Sequence, residues 1–427
     1  MSEISRREFI DLAAGTAGAS VVTAAAPAAA QSAAQGANNR VRLALIGSGG
    51  RGRHVMGLFL RQPDAQFVAV CDVRKDNLDQ GVKIVTAAQA GATVATAEDY
   101  RQLLQRNDVD AVLIATPDHW HCPMLIDAVN AGKDVYLEKP LSNTLEPMVQ
   151  ALQVFRKTNR VVQIGTQQRS GPHFQECAKL VQSSELGKVT HAMCVYSGTG
   201  YGRPPEQEAP IPEGLNWDLF QGSAPKRPFK PGRLAWRGWW DYGGGLVTDW
   251  GVHLTDVALW YLNAQNVGPT LTSGVAQYVN LVNPDRDQAP DTFMVSWQYP
   301  NFVMSFTNAA VNDWEFDRRG NYFFGPRGSL LVHRQGYEIR PPFGTAPAGQ
   351  PAPQQARRVP FTDLPGVDSH TLAHVRNFLD CVKSRETPVS SIEIGFYATL
   401  PTVLAVMAIR QGRSFRWDNS KLTATGV

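Results

Sequence analysis

The sequence lacks the features that mark several classes of protein. Its five cysteines are odd in number and form no C-x-x-C pair, so neither a disulfide framework nor a zinc site is indicated, and all five are expected to be buried thiols. Lysine and arginine total 41 against 38 aspartates and glutamates. No basic block stands out, so the electrostatic footprint of a nucleic-acid-binding protein is missing. What remains is an ordinary globular composition in 427 residues, enough for about two domains.

The N-terminal segment has the composition of an export signal rather than of a folded element. Paired arginines in SRREFI, residues 5–10, precede small and apolar residues that end in an Ala-x-Ala pattern near Ala30. This order is typical of a twin-arginine signal peptide over residues 1–30, and residues 31–39 are interpreted as a flexible lead. The apolar stretch is too rich in Ala and Gly for a stable membrane span. We therefore expect no membrane span in the mature chain and a periplasmic or otherwise exported protein.

Strands alternate with helices through residues 40–160. Apolar runs begin at Val41 and recur at 66–72, 110–116 and 134–138, with helical segments between them. Alternation at this spacing indicates right-handed βαβ units, whose strands pair in parallel and whose helices cover both faces of the sheet. The first domain is therefore predicted to be α/β, a Rossmann-type doubly wound parallel sheet.

A glycine-rich turn with the pattern G-x-G-x-x-G follows the first strand, and Asp72 ends the second strand. Glycines there permit a tight turn and close approach to a pyrophosphate, the helix N-terminus supplies donors, and the acidic side chain accepts from ribose hydroxyls. The fingerprint predicts a dinucleotide site. Asp72 favours NAD because it disfavours a 2′-phosphate, although Arg51 and Arg74 leave NADP open. The predicted contacts are Gly47, Ser48, Gly49, Gly50, Arg51, Gly52, Asp72 and Arg74.

Two further strand ends carry polar residues that belong on the same edge of the sheet. ATPDHWHCP at 115–123 ends one strand, and EKP at 138–140 ends the next. Open α/β sheets bind ligands beyond the carboxyl ends of their strands, so both segments should border the cofactor, with Lys139 beside the nicotinamide. Local packing is the open alternative for the two histidines. The residues assigned to this rim are Thr116, Pro117, His119, His121, Glu138 and Lys139.

The periodicity changes to that of an antiparallel sheet after residue 160. Residues 293–308 alternate apolar and polar side chains on either side of a Pro-Asn turn, and 189–197 and 329–340 have strand character. Alternation of this kind predicts hairpins in an open sheet with one face on helices. Residues 161–427 are therefore predicted to form an α+β domain with an open, mostly antiparallel sheet, in which 341–355 is a surface loop.

The segment 236–262 concentrates aromatic, acidic and basic residues. Asp249, His253 and Asp256 lie at helical spacing after three glycines, and a carboxylate one turn from an imidazole can orient it as a general base. A metal site would need further histidines at compatible positions and none stands out, so no metal is predicted. Aromatic faces pack on sugar C–H groups, although the tryptophans can equally be core. Candidate substrate contacts are Lys139, Arg169, Trp236, Arg237, Tyr242, Asp249 and His253.

These motifs together resemble the Gfo/Idh/MocA family, named for glucose-fructose oxidoreductase and inositol dehydrogenase. The resemblance runs from about Val41 onward and rests on the glycine fingerprint, ATPDHWH, EKP and the D-x-x-x-H at 249–253. It implies an N-terminal Rossmann domain, a C-terminal domain whose open sheet forms a homodimer or homotetramer, and redox chemistry on sugars or polyols. By the same resemblance Lys139 contacts substrate and nicotinamide, His253 is the acid/base and Asp249 assists.

Three functions remain open from the sequence. The first is an exported oxidoreductase that transfers a hydride between tightly bound NAD(P) and a secondary hydroxyl of a sugar, polyol or glycoside, with Lys139 or His253 as the base. The second is a redox-neutral glycoside hydrolase or epimerase using transient oxidation. TDWGVH at 248–253 departs from the T-H-x-x-G-P pattern of the best-known hydrolase group, which weakens that interpretation. The third is a non-catalytic sugar-binding protein, in which Gly47, Asp72, Lys139 and His253 would occur together by coincidence.

Overall fold

The computed structural model describes residues 40–198, 200–279, 287–308, 319–342, 355–363 and 367–427. Residues 1–39, which hold the predicted export signal and lead, lie outside these described ranges. Most of the predicted surface loop at 341–355 also lies outside them. The described chain from Val41 onward belongs to one structural unit.

A six-stranded parallel sheet is built from the first half of the described chain. Its strands are β1 Val41–Ile46, β2 Ala65–Cys71, β3 Ala95–Ala97, β4 Ala111–Ile114, β5 Asp134–Leu137 and β6 Val162–Ile164. The connecting helices are α1 Gly50–Phe59, α2 Lys75–Ala88, α3 Arg101–Leu104, α4 Asp118–Asn130 and α5 Leu145–Phe155. The strand order β3-β2-β1-β4-β5-β6 is that of a Rossmann fold, as predicted. Every residue of β4 and β5 is buried, because such a sheet is covered on both faces.

A ten-stranded sheet occupies the second half. Its strands are β7 His191–Tyr196, β8 Leu271–Gln277, β9 Thr292–Gln298, β10 Val303–Thr307, β11 Arg319–Gly325, β12 Gly328–His333, β13 Gly336–Arg340, β14 Arg357–Pro360, β15 Phe415–Asp418 and β16 Thr423–Gly426. They are ordered β14-β13-β12-β11-β7-β10-β9-β8-β15-β16, and among these described strands only β7 and β10 pair in parallel. The mostly antiparallel sheet is confirmed, with the hairpin β9–β10 at the predicted place. Residues 329–340 had the character of one strand, but they form a second hairpin, β12–β13, that turns at Arg334 and Gln335.

The second half also supplies six helices within the described residues. They are α6 Pro172–Gln182, α7 Trp217–Gln221, α8 Gly245–Asp249, α9 Gly251–Tyr261, α10 Ser369–Ser384 and α11 Ile392–Gln411. Helices α6, α9 and α11 pack against the ten-stranded sheet, whereas α10 packs on α1 and contributes Val375 and Phe378 to a core of the parallel sheet. Short 3-10 helices lie at Gln167–Ser170, Pro231–Leu234 and Trp236–Gly238. The sequence spacing predicted one continuous helix through residues 249–256, but the helix breaks at Trp250, between α8 and α9. All five cysteines are free and buried, as predicted.

Helix α11 is apolar on all sides and contributes to two cores, as a fully buried helix must. Phe396 belongs to the buried cluster of the parallel sheet, together with Ile114 and Val162. Val406 belongs to the cluster beneath the ten-stranded sheet, together with Trp297. Among the described helices, α11 is the one whose length and apolar composition would also suit a membrane span, and most of it is buried inside the protein.

Candidate active site

The turn between β1 and α1 is shaped by two glycines that no larger residue can replace. Gly47 has φ +89°, and a Cβ there would lie 2.7 Å from the carbonyl oxygen of Ala115. A Cβ on Gly52 would lie 2.0 Å from the carbonyl oxygen of Gly47, because α1 packs directly on the loop. A Cβ on Gly49 or Gly50 would meet open space. The helix N-terminus therefore borders an open cradle, which fits the pyrophosphate of a dinucleotide.

Asp72 is held beside this cradle by backbone amides. Its Oδ2 accepts from the amide of Ser48 at 2.7 Å, and its Oδ1 accepts from the amide of Arg74 at 2.8 Å. Burial raises the pKa of the Asp72 carboxyl, and the two amide donors oppose that shift. Each carboxylate oxygen can accept more than one hydrogen bond, so the fixed group can also receive ribose hydroxyls.

A cavity of about 310 Å³, here called the nucleotide cavity, opens beside Asp72. The predicted residues that line it are Gly47, Gly49, Gly50, Asp72, Arg74, Thr116 and Pro117. Trp120 of the rim segment 115–123, which was expected beside the cofactor, also lines it. Lining residues that the sequence did not predict include Asn77, Tyr100, Arg101, Leu215 and Phe220. Asn77 could have been found from its place in α2, three residues after Arg74. Leu215 and Phe220 could not, since they come from a distant, irregular segment.

The two predicted rim histidines do not line this cavity. The Nε2 of His119 lies 3.0 Å from the carbonyl oxygen of Phe220. The ring nitrogens of His121 lie 2.6 Å from the carbonyl oxygen of Pro140 and 3.0 Å from that of Thr116. Burial lowers the pKa of both histidines to about 4, so each is a neutral ring that donates one hydrogen bond. The structure favours local packing for both.

A second cavity of about 400 Å³, here called the catalytic cavity, adjoins the first. Both cavities are lined by Gly49, Gly50, Ala115, Thr116 and Trp236. The structure brings together in the catalytic cavity the predicted residues Arg51, Glu138, Lys139, Trp236, Arg237, Asp249 and His253. Sequence reasoning missed Gln167, Tyr201, Trp250 and Arg334. Trp250 could have been found between Asp249 and His253, whereas Tyr201 and Arg334 lie in segments without a motif.

Asp249 fixes the position of Lys139. The Nζ of Lys139 donates to Oδ1 of Asp249 at 2.5 Å and to its carbonyl oxygen at 2.8 Å. The same carboxylate accepts from Nε of Arg237 at 3.0 Å and from the hydroxyl of Tyr201. Burial acts to raise the pKa of Asp249, but the charges of Lys139 and Arg237 outweigh it and hold that pKa well below its ordinary range. Asp249 is therefore an ionised anchor for two cations.

His253 faces the catalytic cavity as a neutral imidazole. Burial and the charges of Lys139 and Arg334 lower its pKa well below the ordinary value. Its Nδ1 has no hydrogen-bond partner within the described part of the chain. The spacing predicted that Asp249 would orient this ring, but the described side-chain hydrogen bonds of Asp249 go to Lys139, Arg237 and Tyr201, and none joins it to His253. A neutral imidazole on the wall of a cavity can accept a proton from a group bound there.

Two predicted substrate contacts, and the acid predicted to share a polar face with His253, lie outside both cavities. Arg169 pairs with Asp256, with Nε 2.8 Å from Oδ1, and both side chains are buried. Tyr242 is fully buried, with its ring 5.5 Å from that of Phe220. The assignments of Arg169 and Tyr242 to substrate are therefore corrected to packing and ion pairing. Within the described ranges no group of three or more His, Cys, Asp or Glu could hold a metal ion.

Comparison with protein families matches two stretches of the chain. A Gfo/Idh/MocA model described as an oxidoreductase family, NAD-binding Rossmann fold, covers residues 41–166. A second model of the same family, described as its C-terminal alpha/beta domain, covers residues 173–330. The two models follow one another in the order of the two sheets.

Curated relatives match over very different lengths. The scyllo-inositol 2-dehydrogenase (NAD(+)) of Bacillus subtilis is 25% identical over 382 residues, which are 84% of this chain and 94% of that protein. A glycosyl hydrolase family 109 protein of Saccharopolyspora erythraea is 36% identical over 127 residues, which are 29% of this chain and 28% of that protein. The second match therefore covers less than a third of either protein.

Solved structures share the fold across nearly the whole chain. A levoglucosan dehydrogenase in complex with NADH and levoglucosan gives a TM-score of 0.66 at 16% identity, covering 91% of this chain and 99% of that one. The aldose-aldose oxidoreductase from Caulobacter crescentus, complexed with glycerol, gives 0.62 at 20% identity, covering 88% and 99%. The chain belongs to the Gfo/Idh/MocA family of NAD-binding oxidoreductases.

Proposed function

We propose that the chain transfers a hydride between NAD and a secondary hydroxyl of a sugar, polyol or glycoside. The observation that carries the proposal is that Lys139 and His253 line a cavity adjoining the glycine cradle. NAD, when bound, supplies the nicotinamide that accepts the hydride. The cradle at Gly49 and Gly50 would hold its pyrophosphate, and Asp72 would hold a ribose.

The proton of the substrate hydroxyl is the part of the reaction that the protein handles. His253 is neutral and lines the catalytic cavity, so we assign it the role of base. Lys139, held by Asp249, places a positive charge where the substrate oxygen becomes negative. The Lys139 and Asp249 side chains are only 12% and 9% exposed. Exclusion of water from this pair strengthens its electrostatic effect.

Single substitutions test these two roles. We expect His253→Asn and Lys139→Met each to lower turnover by about 10²–10⁴-fold, the usual contribution of acid–base groups, while the protein keeps its nucleotide. Lys179→Met on α6 and His191→Asn on β7 are controls outside both cavities. NADH absorbance with a panel of sugars and polyols measures turnover, and nucleotide released on denaturation measures retention. Near-normal turnover in either cavity variant would refute the assignment.

Redox-neutral glycoside cleavage is the second candidate function. The glycosyl hydrolase family 109 relative favours it, as does the alpha-N-acetylgalactosaminidase of Shewanella oneidensis, which is 31% identical over 159 residues, 36% of this chain and 35% of that protein. Transient oxidation would then be reversed on the same sugar. Release of nitrophenol from nitrophenyl glycosides, with no net NADH formed, would favour this candidate. Net NADH formation without cleavage would exclude it.

We also propose export as a folded protein that already holds its cofactor. The support is the pair Arg6 and Arg7 ahead of a small-residue apolar stretch. Tight retention would suit an exported enzyme, since free NAD is scarce outside the cytoplasm. Replacing both arginines with lysine should trap an unprocessed precursor in the cytoplasm, while the unaltered chain should begin near residue 31. Normal processing of the double variant would contradict the proposal.

The open face of the ten-stranded sheet is proposed to pair with a second copy, giving a homodimer or homotetramer. Val275, Met294 and Val303 lie on neighbouring strands β8, β9 and β10 and are 71%, 56% and 49% exposed. Val275 and Met294 are direct partners across β8 and β9, and Val303 lies near the other end of the same strands. Exposed apolar side chains grouped on one sheet mark interaction surfaces. Light scattering should show a smaller species for Met294→Glu but not for Ile211→Glu, an exposed control outside the sheet. An unchanged mass for Met294→Glu would refute the interface.

A further inference from the structure

Arg334 has a buried nitrogen that nothing in the described chain satisfies. It lies in the turn between β12 and β13 and lines the catalytic cavity. Its Nε has no hydrogen-bond partner among the described residues. Burial lowers the pKa of its guanidinium. A buried cation without a partner is unfavourable unless a ligand supplies a counter-charge and hydrogen-bond acceptors.

The charges that surround Arg334 do not compensate it. Among the described residues that line the catalytic cavity, the cations are Arg51, Lys139, Arg237 and Arg334, and the carboxylates are Glu138 and Asp249. Glu138 lies 2.8 Å from Nε of Arg51. Asp249 is shared by Lys139 and Arg237. Both carboxylates are therefore engaged, and the cavity keeps an excess of positive charge at Arg334.

A third carboxylate near Arg334 is engaged as well. Asp368 acts to raise the pKa of Arg334, but its Oδ2 accepts from Thr371 at 2.6 Å and lies 3.1 Å from Nε2 of His54. The same carboxylate lies 3.8 Å from Arg51. Its charge is thus shared among other partners, and it forms no described ion pair with Arg334.

Arg334 packs on a tryptophan that also contacts the proposed base. Its guanidinium carbon lies 4.8 Å from the ring centroid of Trp250. The same indole lies 5.6 Å from the ring of His253. Arg334 and the proposed base therefore pack on one tryptophan. Stacking on an aromatic ring holds a planar guanidinium in a fixed orientation for recognition.

We propose that Arg334 binds an oxyanion group, a carboxylate or a phosphate, carried by the sugar on which this cavity acts. This deepens the proposed function by naming acidic sugars as the substrate class, and it rests on that function for the oxidation itself. A guanidinium donates two parallel hydrogen bonds to an oxyanion. An acidic sugar would supply the missing counter-charge, whereas a neutral one would leave Arg334 buried and uncompensated.

Binding measurements with matched neutral and acidic sugars test the proposal without requiring turnover. Methyl hexosides of gluco, galacto and manno configuration are compared with the corresponding hexosiduronates and hexoside 6-phosphates, using the holoprotein and calorimetry. We expect at least one acidic member to bind about tenfold or more tightly than its neutral counterpart, in the range of charge-assisted contacts. The uronate and phosphate arms show which oxyanion is preferred. Tighter or equal binding by every neutral member, or no binding by any acidic member, would overturn the proposal.

Variants of Arg334 test whether this residue causes the preference for acidic sugars. Arg334→Gln should bring the acidic-to-neutral affinity ratio close to one, and Arg334→Lys should retain part of it, since a point charge lacks the fork of a guanidinium. Arg358→Gln removes an exposed cation of β14 and should leave the ratio unchanged. A ratio in Arg334→Gln that equals that of the wild type would overturn the proposal. The discrimination by the wild-type protein stands as evidence even if a variant does not fold.

Two further measurements distinguish an anion site for the sugar from a role of Arg334 in NAD binding and from failure of the proposed redox function. NAD affinity should be unchanged in Arg334→Gln, and a loss of about tenfold or more would assign the guanidinium to the cofactor diphosphate and overturn the proposal. Failure of the redox function looks different: an acidic sugar would bind through Arg334 without forming NADH. NADH formation from neutral sugars alone, with no acidic sugar bound, would refute the anion site and leave the redox function intact.

Discussion

Replacing Asp249 with asparagine would remove the charge of this carboxylate while preserving its shape. The carboxylate is buried and accepts from Lys139 at 2.5 Å, from Arg237 at 3.0 Å and from the Tyr201 hydroxyl. Removing one partner of a buried ion pair costs about 3–5 kcal/mol. Because asparagine still accepts through its amide oxygen, we expect the free energy of unfolding to fall by about 2–4 kcal/mol.

Turnover should fall for two reasons in the same variant. The ammonium of Lys139 loses its counter-ion, although the Asp249 carbonyl oxygen at 2.8 Å still accepts from it and keeps part of its position. The Asp249 charge also acts to raise the pKa of His253, so its removal leaves a weaker base. Together these losses should lower turnover by about 10²–10³-fold.

Asp256→Asn is the matched control, because it breaks a buried ion pair with Arg169 outside both cavities. Urea unfolding followed by tryptophan fluorescence should show similar losses of stability for the two variants. NADH formation per folded molecule should fall only in Asp249→Asn. Turnover of Asp249→Asn within about threefold of wild type, or an equal loss of turnover in both variants, would contradict this role of the Asp249 charge.

Three further perturbations follow from the same geometry. Gly52→Ala should abolish NAD retention, because the new Cβ would lie 2.0 Å from the carbonyl oxygen of Gly47. Gly57→Ala is the control, since a Cβ there meets nothing within 4 Å. Nucleotide released on denaturation measures NAD retention in both variants, and NAD retained by Gly52→Ala would contradict the close packing of α1 on the glycine turn. Asp72→Ala should weaken NAD binding by about tenfold or more in calorimetry, since a charged acceptor is lost, and an unchanged affinity would remove its ribose role. Burial lowers the pKa of His374 from 6.5 to about 4, so the stability it contributes is complete above pH 6.5 and is lost as the pH falls through 4. Between about pH 7 and pH 5 the stability gap between wild type and His374→Gln should shrink by about 2 kcal/mol, and a constant gap in urea unfolding would contradict this sign.

The parallel sheet and its glycine turn could be predicted from the sequence because their causes are local. Each βαβ unit carries its own apolar strand, breaker and helix, and the right-handed connection fixes where the next strand lies. Gly47 and Asp72 end neighbouring strands, and Lys139 ends another on the same edge. The rule that strand ends share one edge was therefore enough to bring Lys139 to the cavity beside the cradle.

Contacts between remote segments could not be predicted, because periodicity does not report which side chains meet in space. Asp249 and Asp256 both lie near His253 in the sequence, but Asp249 belongs to α8 and Asp256 to α9. Asp249 pairs with Lys139, whereas Asp256 pairs with Arg169. Arg334 occupies a hairpin turn with no motif. Only the pairing of β12 and β13 within the larger sheet brings that turn to the cavity.

The way helix α11 is shared between two cores bears on how the chain folds as it is synthesised. The last strand of the parallel sheet ends at Ile164, but the core of that sheet also includes Ile392 and Trp417. A ribosome that has completed the first half therefore carries a sheet whose apolar face is still uncovered. Such a nascent chain exposes apolar surface, which favours aggregation, until the distal helix has been synthesised. The nucleotide cradle, built on that sheet, would reach its final form only after translation has passed residue 417.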